Sequence, residues 1–92
     1  MKKIKKKILV RNKQGLHARP AALFVQLANK FEANIVVRKD KLTANGKSIM
    51  GILMLEIGPG TEIWIEAEGE DAEKAVTALE KIILEEETQL IK

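Results

Sequence analysis

A chain of 92 residues has room for one modest hydrophobic core and not for two. Its apolar content of 46% with 32% charged residues is that of a globular protein and excludes disorder, and the absence of cysteine excludes disulfides and thiolate metal sites. The net charge of +3 is unevenly spread: five of the first seven residues are lysines, while the last third carries EAEGEDAEK and EEE. No apolar run approaches the ~20 residues of a membrane helix. The start, MKKIKKKILVRNKQG, has no apolar core segment or small-residue cleavage site, so it is not read as a signal peptide. The expectation is one cytoplasmic domain spanning residues 1–92.

In chain order, residues 4–11 predict a strand with Ile8 and Val10 on one face and Lys7 and Leu9 on the other. Asn12 to Gly15 predicts a turn. From Ala18 to about Asn29, the spacing of Ala21, Phe24, Val25 and Ala28 is helical. NIVVR at 34–38 predicts a second strand, KD a turn, KLTA at 41–44 a third strand, and NGK a further turn. SIMGILML at 48–55 predicts a short helix capped by Ser48 and ended by the GPG at 58–60. TEIWIEA at 61–67 predicts a fourth strand with Ile63, Ile65 and Ala67 on one face. Asp71 is expected to cap a last helix whose stripe runs Ala72, Ala75, Val76, Leu79, Ile82, Ile83 and Glu86. The order is βαββαβα, an α+β open-faced sandwich with one sheet face packed on helices.

The chemistry concentrates at QGLHARPAAL, residues 14–23, which holds the only histidine, His17. With His17 at the N-cap, Pro20 falls in the first turn, where its missing N–H costs no intrahelical bond. The backbone N–H groups of Ala18 and Arg19 then form an anion cradle at the positive end of the helix. Gly15 allows the tight turn before it. Arg19 adds a planar guanidinium suited to phosphate oxygens. An imidazole beside such a cradle can attack phosphorus and have the transferred group held. No second histidine or adjacent carboxylate supplies a metal site or a catalytic triad, so no metal or cofactor is expected. A bland alternative remains, in which His17 is merely a polar residue near a helix start.

GLHARPAALFVQLA together with KSIMGILML resembles HPr, the histidine-containing phosphocarrier family of the bacterial phosphoenolpyruvate-dependent sugar phosphotransferase system. The resemblance runs from about Ile8 to Ile83. It implies a four-stranded antiparallel sheet covered on one side by three helices. It implies a carrier rather than an enzyme: His17 accepts a phosphoryl group through Nδ1 from enzyme I and passes it to an enzyme IIA domain, with Arg19 supporting the group. It also implies that Ser48 is a regulatory phosphorylation site for an HPr kinase/phosphorylase, and that Ala18, Leu23, Ile49, Met50 and Leu53 form the docking patch. A phosphate on Ser48 at a helix N-terminus should spare the fold and disturb docking. Glu56 departs from the resemblance, which has glycine there; with glutamate the short helix is expected to close differently, at Gly58. EEETQLIK runs beyond the usual end, and Leu90 and Ile91 receive no reading.

Two other functions compete. One is a regulatory adaptor acting through phospho-Ser48 on a transcription regulator, as in HPr-like proteins that lack the histidine; the presence of His17 speaks against this as the sole role. The other is a basic nucleic-acid-binding domain, disfavoured because stacking platforms need aromatics and the chain has only Phe24, Phe31 and Trp64. The period of two places Trp64 on the open face of the sheet with Leu9 and Val36. These three are expected to form an apolar stripe across neighbouring strands, serving either cross-strand packing or a contact surface.

Overall fold

A computed structural model describes residues 2–11 and 15–91, with side chains for all of these except Ala18 and residues 85–91. The elements are β1 (Lys3–Leu9), α1 (Ala18–Ala28), β2 (Asn34–Lys39), β3 (Leu42–Asn45), α2 (Ile49–Met54), β4 (Glu62–Glu68) and α3 (Ala72–Ile91). The strands form one antiparallel sheet in the order β1-β4-β2-β3. Of the predicted turn from Asn12 to Gly15, residues 12–14 lie outside the described residues.

Alternation along the strands decides which face is covered. Ile8, Ile35, Val37, Ile63, Ile65 and Ala67 are buried and meet Phe24 and Ala28 of α1, Ile52 of α2, and Ala75, Leu79 and Ile83 of α3 in one core. Burying each large side chain contributes about 1.5–3 kcal/mol. The α3 stripe is therefore as predicted through Ile83, with Ile82 half-buried at its margin; the Glu86 side chain lies outside the described residues. Lys6 shares the inward parity of Ile8 but sits on an edge strand, so its stem reaches out to Glu80 of α3 at 3.5 Å.

Asp71 does more than precede α3. Its carboxylate oxygens accept the N–H groups of Glu32 and Ala33, each at 2.9 Å, tying the α1–β2 connection to the start of α3. The Glu32 N–H, with smaller help from Ala33 and the Lys47 charge and against the cost of desolvation, holds this carboxyl below the usual carboxylate range.

The expected closure of α2 at Gly58 is overturned. The helix ends at Met54 with Leu55 as C-cap, and Glu56 itself takes the left-handed conformation at φ 52°. This conformation costs a non-glycine residue roughly 1–2 kcal/mol. The offset comes from outside the helix: Lys39, at the end of β2, donates Nζ to the carbonyl oxygens of Leu55 at 2.8 Å and Glu56 at 3.0 Å. A cation on the last carbonyls of a helix is favourable both as a hydrogen bond and as a dipole partner. A helix of six residues has no stability of its own. What holds α2 is this clamp at one end, the Ser48 cap at the other, and buried Ile52 between them.

The open face also differs from expectation. Leu9 lies opposite Glu62 and Val36 opposite Glu66, while Lys7 and Arg38 flank Trp64. The three apolar residues share a face but sit on diagonals, with charge between them. Lys5 and Lys7 place Nζ at 5.3 and 5.8 Å from the indole centroid, a cation–π arrangement, and Arg38 Nε meets Glu66 Oε2 at 3.1 Å. The apolar stripe is replaced by a ladder of alternating charges around a half-buried tryptophan.

Candidate functional site

The turn entering α1 is built by burial on one side and exposure on the other. Leu16 is driven into the core, and its N–H donates to the carbonyl of Ile57 at 2.8 Å. Gly15, at φ 60°, passes so close to that carbonyl that a Cβ there would lie 2.2 Å from the oxygen. The next residue, His17, emerges on the surface in an extended conformation (φ −117°, ψ 154°) as the N-cap of α1. Its side chain makes no capping hydrogen bond. The imidazole is thus presented on the surface at the helix start. Pro20 is buried in the first turn, and Arg19 is exposed with no ion pair among the described residues. The side chain of Ala18, expected in the docking patch, lies outside the described residues; its backbone opens α1.

Ser48 is the N-cap of α2, and its Oγ accepts the Gly51 N–H at 3.1 Å. The 45–48 connection is held from several sides: Lys47 Nζ donates to the Phe31 carbonyl at 2.7 Å, and Asn29 Nδ2 to the Lys47 carbonyl at 3.2 Å. Since α1 packs on α2, the two predicted motifs share one side of the molecule. Ile49 is 38% and Met50 64% exposed, whereas Leu23 and Leu53 are half-buried. Sequence reasoning missed Met54, the most exposed large apolar side chain among the described residues at 74%. Its position one helical turn after Met50 was the available signal. Flexible, polarisable methionines suit a surface that meets more than one partner.

No described cluster of histidine, aspartate and glutamate could hold a metal ion. Three surface depressions among the described residues are lined by residues such as Asn34, Val36, Glu66, Glu68 and Asp71, and these include none of residues 15–23 or 48–57. His17 itself is exposed. On the open face, Lys3 and Lys5 of β1 lie opposite Glu68 and Glu66 of β4, so acidic partners interrupt the lysine run there, and Lys7 lies opposite Trp64.

A family profile described as the PTS HPr component phosphorylation site matches residues 4–85. The chain belongs to the HPr family. The crystal structure of the phosphocarrier protein HPr from Bacillus anthracis str. Ames has 53% sequence identity and a TM-score of 0.86, over 88% of this chain and 96% of that one. The HPr-like protein Crh of Bacillus subtilis is 46% identical over 83 residues, 90% of this chain and 98% of that protein. The phosphocarrier protein HPr of Treponema pallidum is 42% identical over 77 residues, 84% of this chain and 88% of its own length. The phosphocarriers of the HPr family are not themselves enzymes. The open-faced sandwich of four antiparallel strands and three helices is the HPr fold. Among the described residues, no helix is long and apolar enough to cross a membrane.

Proposed function

We propose that this chain is one HPr-like phosphocarrier domain of the cytoplasmic sugar phosphotransferase system, with His17 as the phosphoryl acceptor. The observation that carries the reading is the exposed, uncapping imidazole of His17 at the start of α1, with exposed Arg19 two residues on. Nδ1 attacks the phosphorus of phospho-enzyme I; the new P–N bond forms as the bond to enzyme I breaks. The reverse exchange delivers the group to an enzyme IIA domain. The N–H groups of the first turn and the Arg19 guanidinium face the charge of the transferred group. Ala18, Leu23, Ile49, Met50 and Leu53, now with Met54, make the docking patch. Incubation with phosphoenolpyruvate and enzyme I, followed by intact mass and an acid-lability test, checks this: phosphohistidine is lost in acid and phosphoserine is not. Absence of an acid-labile phosphoryl group ends the reading.

Arg19→Ala is expected to slow acceptance by about one to two decades without abolishing it, the loss of a charge-assisted clamp worth about 1.5–3 kcal/mol in a water-excluding complex. Rates unchanged from wild type would place the guanidinium away from the phosphoryl group.

Ser48 is proposed as a regulatory phosphorylation site for an HPr kinase/phosphorylase. A second function, an adaptor that binds a transcription regulator through phospho-Ser48, is favoured by the similarity to Crh. Ser48→Asp separates regulation from folding, because aspartate caps a helix as well as serine does. The variant is expected to melt within about 0.5 kcal/mol of wild type while its initial rate of His17 phosphorylation falls, the new charge lying beside exposed Ile49 and Met50. A large drop in melting temperature with normal rates per folded molecule would make the serine structural.

A further inference from the structure

The end of α2 and the start of α1 meet through a short run of backbone. Lys39 Nζ binds the carbonyls of Leu55 and Glu56. Glu56 is left-handed and exposed, so nothing in its own side chain favours that backbone conformation. The next residue, Ile57, is fully buried, and its carbonyl receives the Leu16 N–H at 2.8 Å. Gly15 rests against the same carbonyl and against Gly58. Leu16 immediately precedes His17. The direction of the Ile57 carbonyl is set by the turn at 56, and that turn is clamped by Lys39.

We propose that Lys39 is a positioning residue for His17. By holding the left-handed turn at Glu56, it fixes the Ile57 carbonyl on which the His17-bearing turn hangs. A glycine at position 56 would adopt this conformation without help. The lysine clamp is thus the device that lets this chain carry glutamate there and still present its histidine in one geometry. The proposal rests on the phosphocarrier reading for its effect on rate, but not for its effect on the turn.

The test is a double-mutant cycle between positions 39 and 56, because spatial intermediacy alone does not establish coupling. Lys39→Met keeps the apolar stem and removes the donors. It is expected to accelerate hydrogen exchange at the Leu16 amide and to lower kcat for phosphoryl acceptance from enzyme I by about 3- to 10-fold. In the Glu56→Gly background the same substitution is expected to change either quantity by no more than about twofold. Lys39→Arg, which keeps a cation at the carbonyls, is expected to stay near wild type. Exchange and rates per folded molecule that match wild type in Lys39→Met would overturn the proposal. So would faster exchange with an unchanged rate, or an equal loss in both backgrounds. If wild-type protein accepts no phosphoryl group, the phosphocarrier reading and the kcat effect fall together. The Leu16 exchange comparison then still decides whether Lys39 holds the turn.

Discussion

His17→Ala is expected to give a folded protein that accepts no phosphoryl group from phospho-enzyme I. The loss should be complete because the chain has no other imidazole to take over. Stability should barely change. The side chain is exposed and makes no capping hydrogen bond, so its removal opens no cavity and uncaps no helix. Exposed substitutions of this kind usually stay within about ±0.5 kcal/mol. The measurement is intact mass after incubation with phosphoenolpyruvate and enzyme I, beside a thermal melt of the same sample. A stoichiometric acid-labile phosphoryl group on the variant would move the acceptor elsewhere in the chain. A melting temperature many degrees lower would show that His17 supports the fold, contrary to its surface position.

The parts of the structure legible in the sequence are those whose causes are local. Ser48 caps α2, Pro20 sits in the first turn of α1, and His17 starts that helix, because each depends on residues within one turn of itself. Burial parity along β4 was legible for the same reason, since Ile63, Ile65 and Ala67 alternate with partly exposed neighbours. What escaped is set by partners distant in sequence. The left-handed Glu56 contradicts its own propensity and is held by Lys39, 17 residues earlier. The carboxylate of Asp71 serves a connection 38 and 39 residues before it.

Trp64 shows the same division within one residue. Its face followed from the period of two, but its neighbours followed from the offsets of β1 and β2 against β4, and no hairpin joins those strands to set them. Moving each offset by two residues keeps every face and changes every pair. That shift exchanges an apolar stripe for lysines over an indole. The proposed phosphoryl site lies on the legible side of this division, since GLHARPA carries the turn, the cap and the cation together. The clamp behind it lies on the other side.

Gly15→Ala is expected to be the most damaging small substitution near the site. Two costs coincide at this position. The backbone stands at φ 60°, where a Cβ costs roughly 1–2 kcal/mol. The added carbon would also lie 2.2 Å from the Ile57 carbonyl oxygen and 2.8 Å from Gly58 Cα, backbone atoms that no side-chain rotation can clear. Together they predict a loss of about 2–4 kcal/mol, or a fall in melting temperature of about 10–25 °C for a chain of this size. The relief available to the protein is to push Gly15 away from Ile57, which stretches the Leu16 N–H bond to the same carbonyl. Phosphoryl acceptance per folded molecule should therefore fall as well, by about tenfold or more. Gly58→Ala is the matched control. It adds the same methyl group in the same region, where nothing lies within 4 Å and the backbone is not left-handed. Its stability should be unchanged or slightly raised, by up to about 1 kcal/mol. Thermal melts and initial phosphorylation rates of the two variants decide the matter. If Gly15→Ala melts with Gly58→Ala and is phosphorylated as fast, the close approach of Gly15 to Ile57 does not hold the histidine turn.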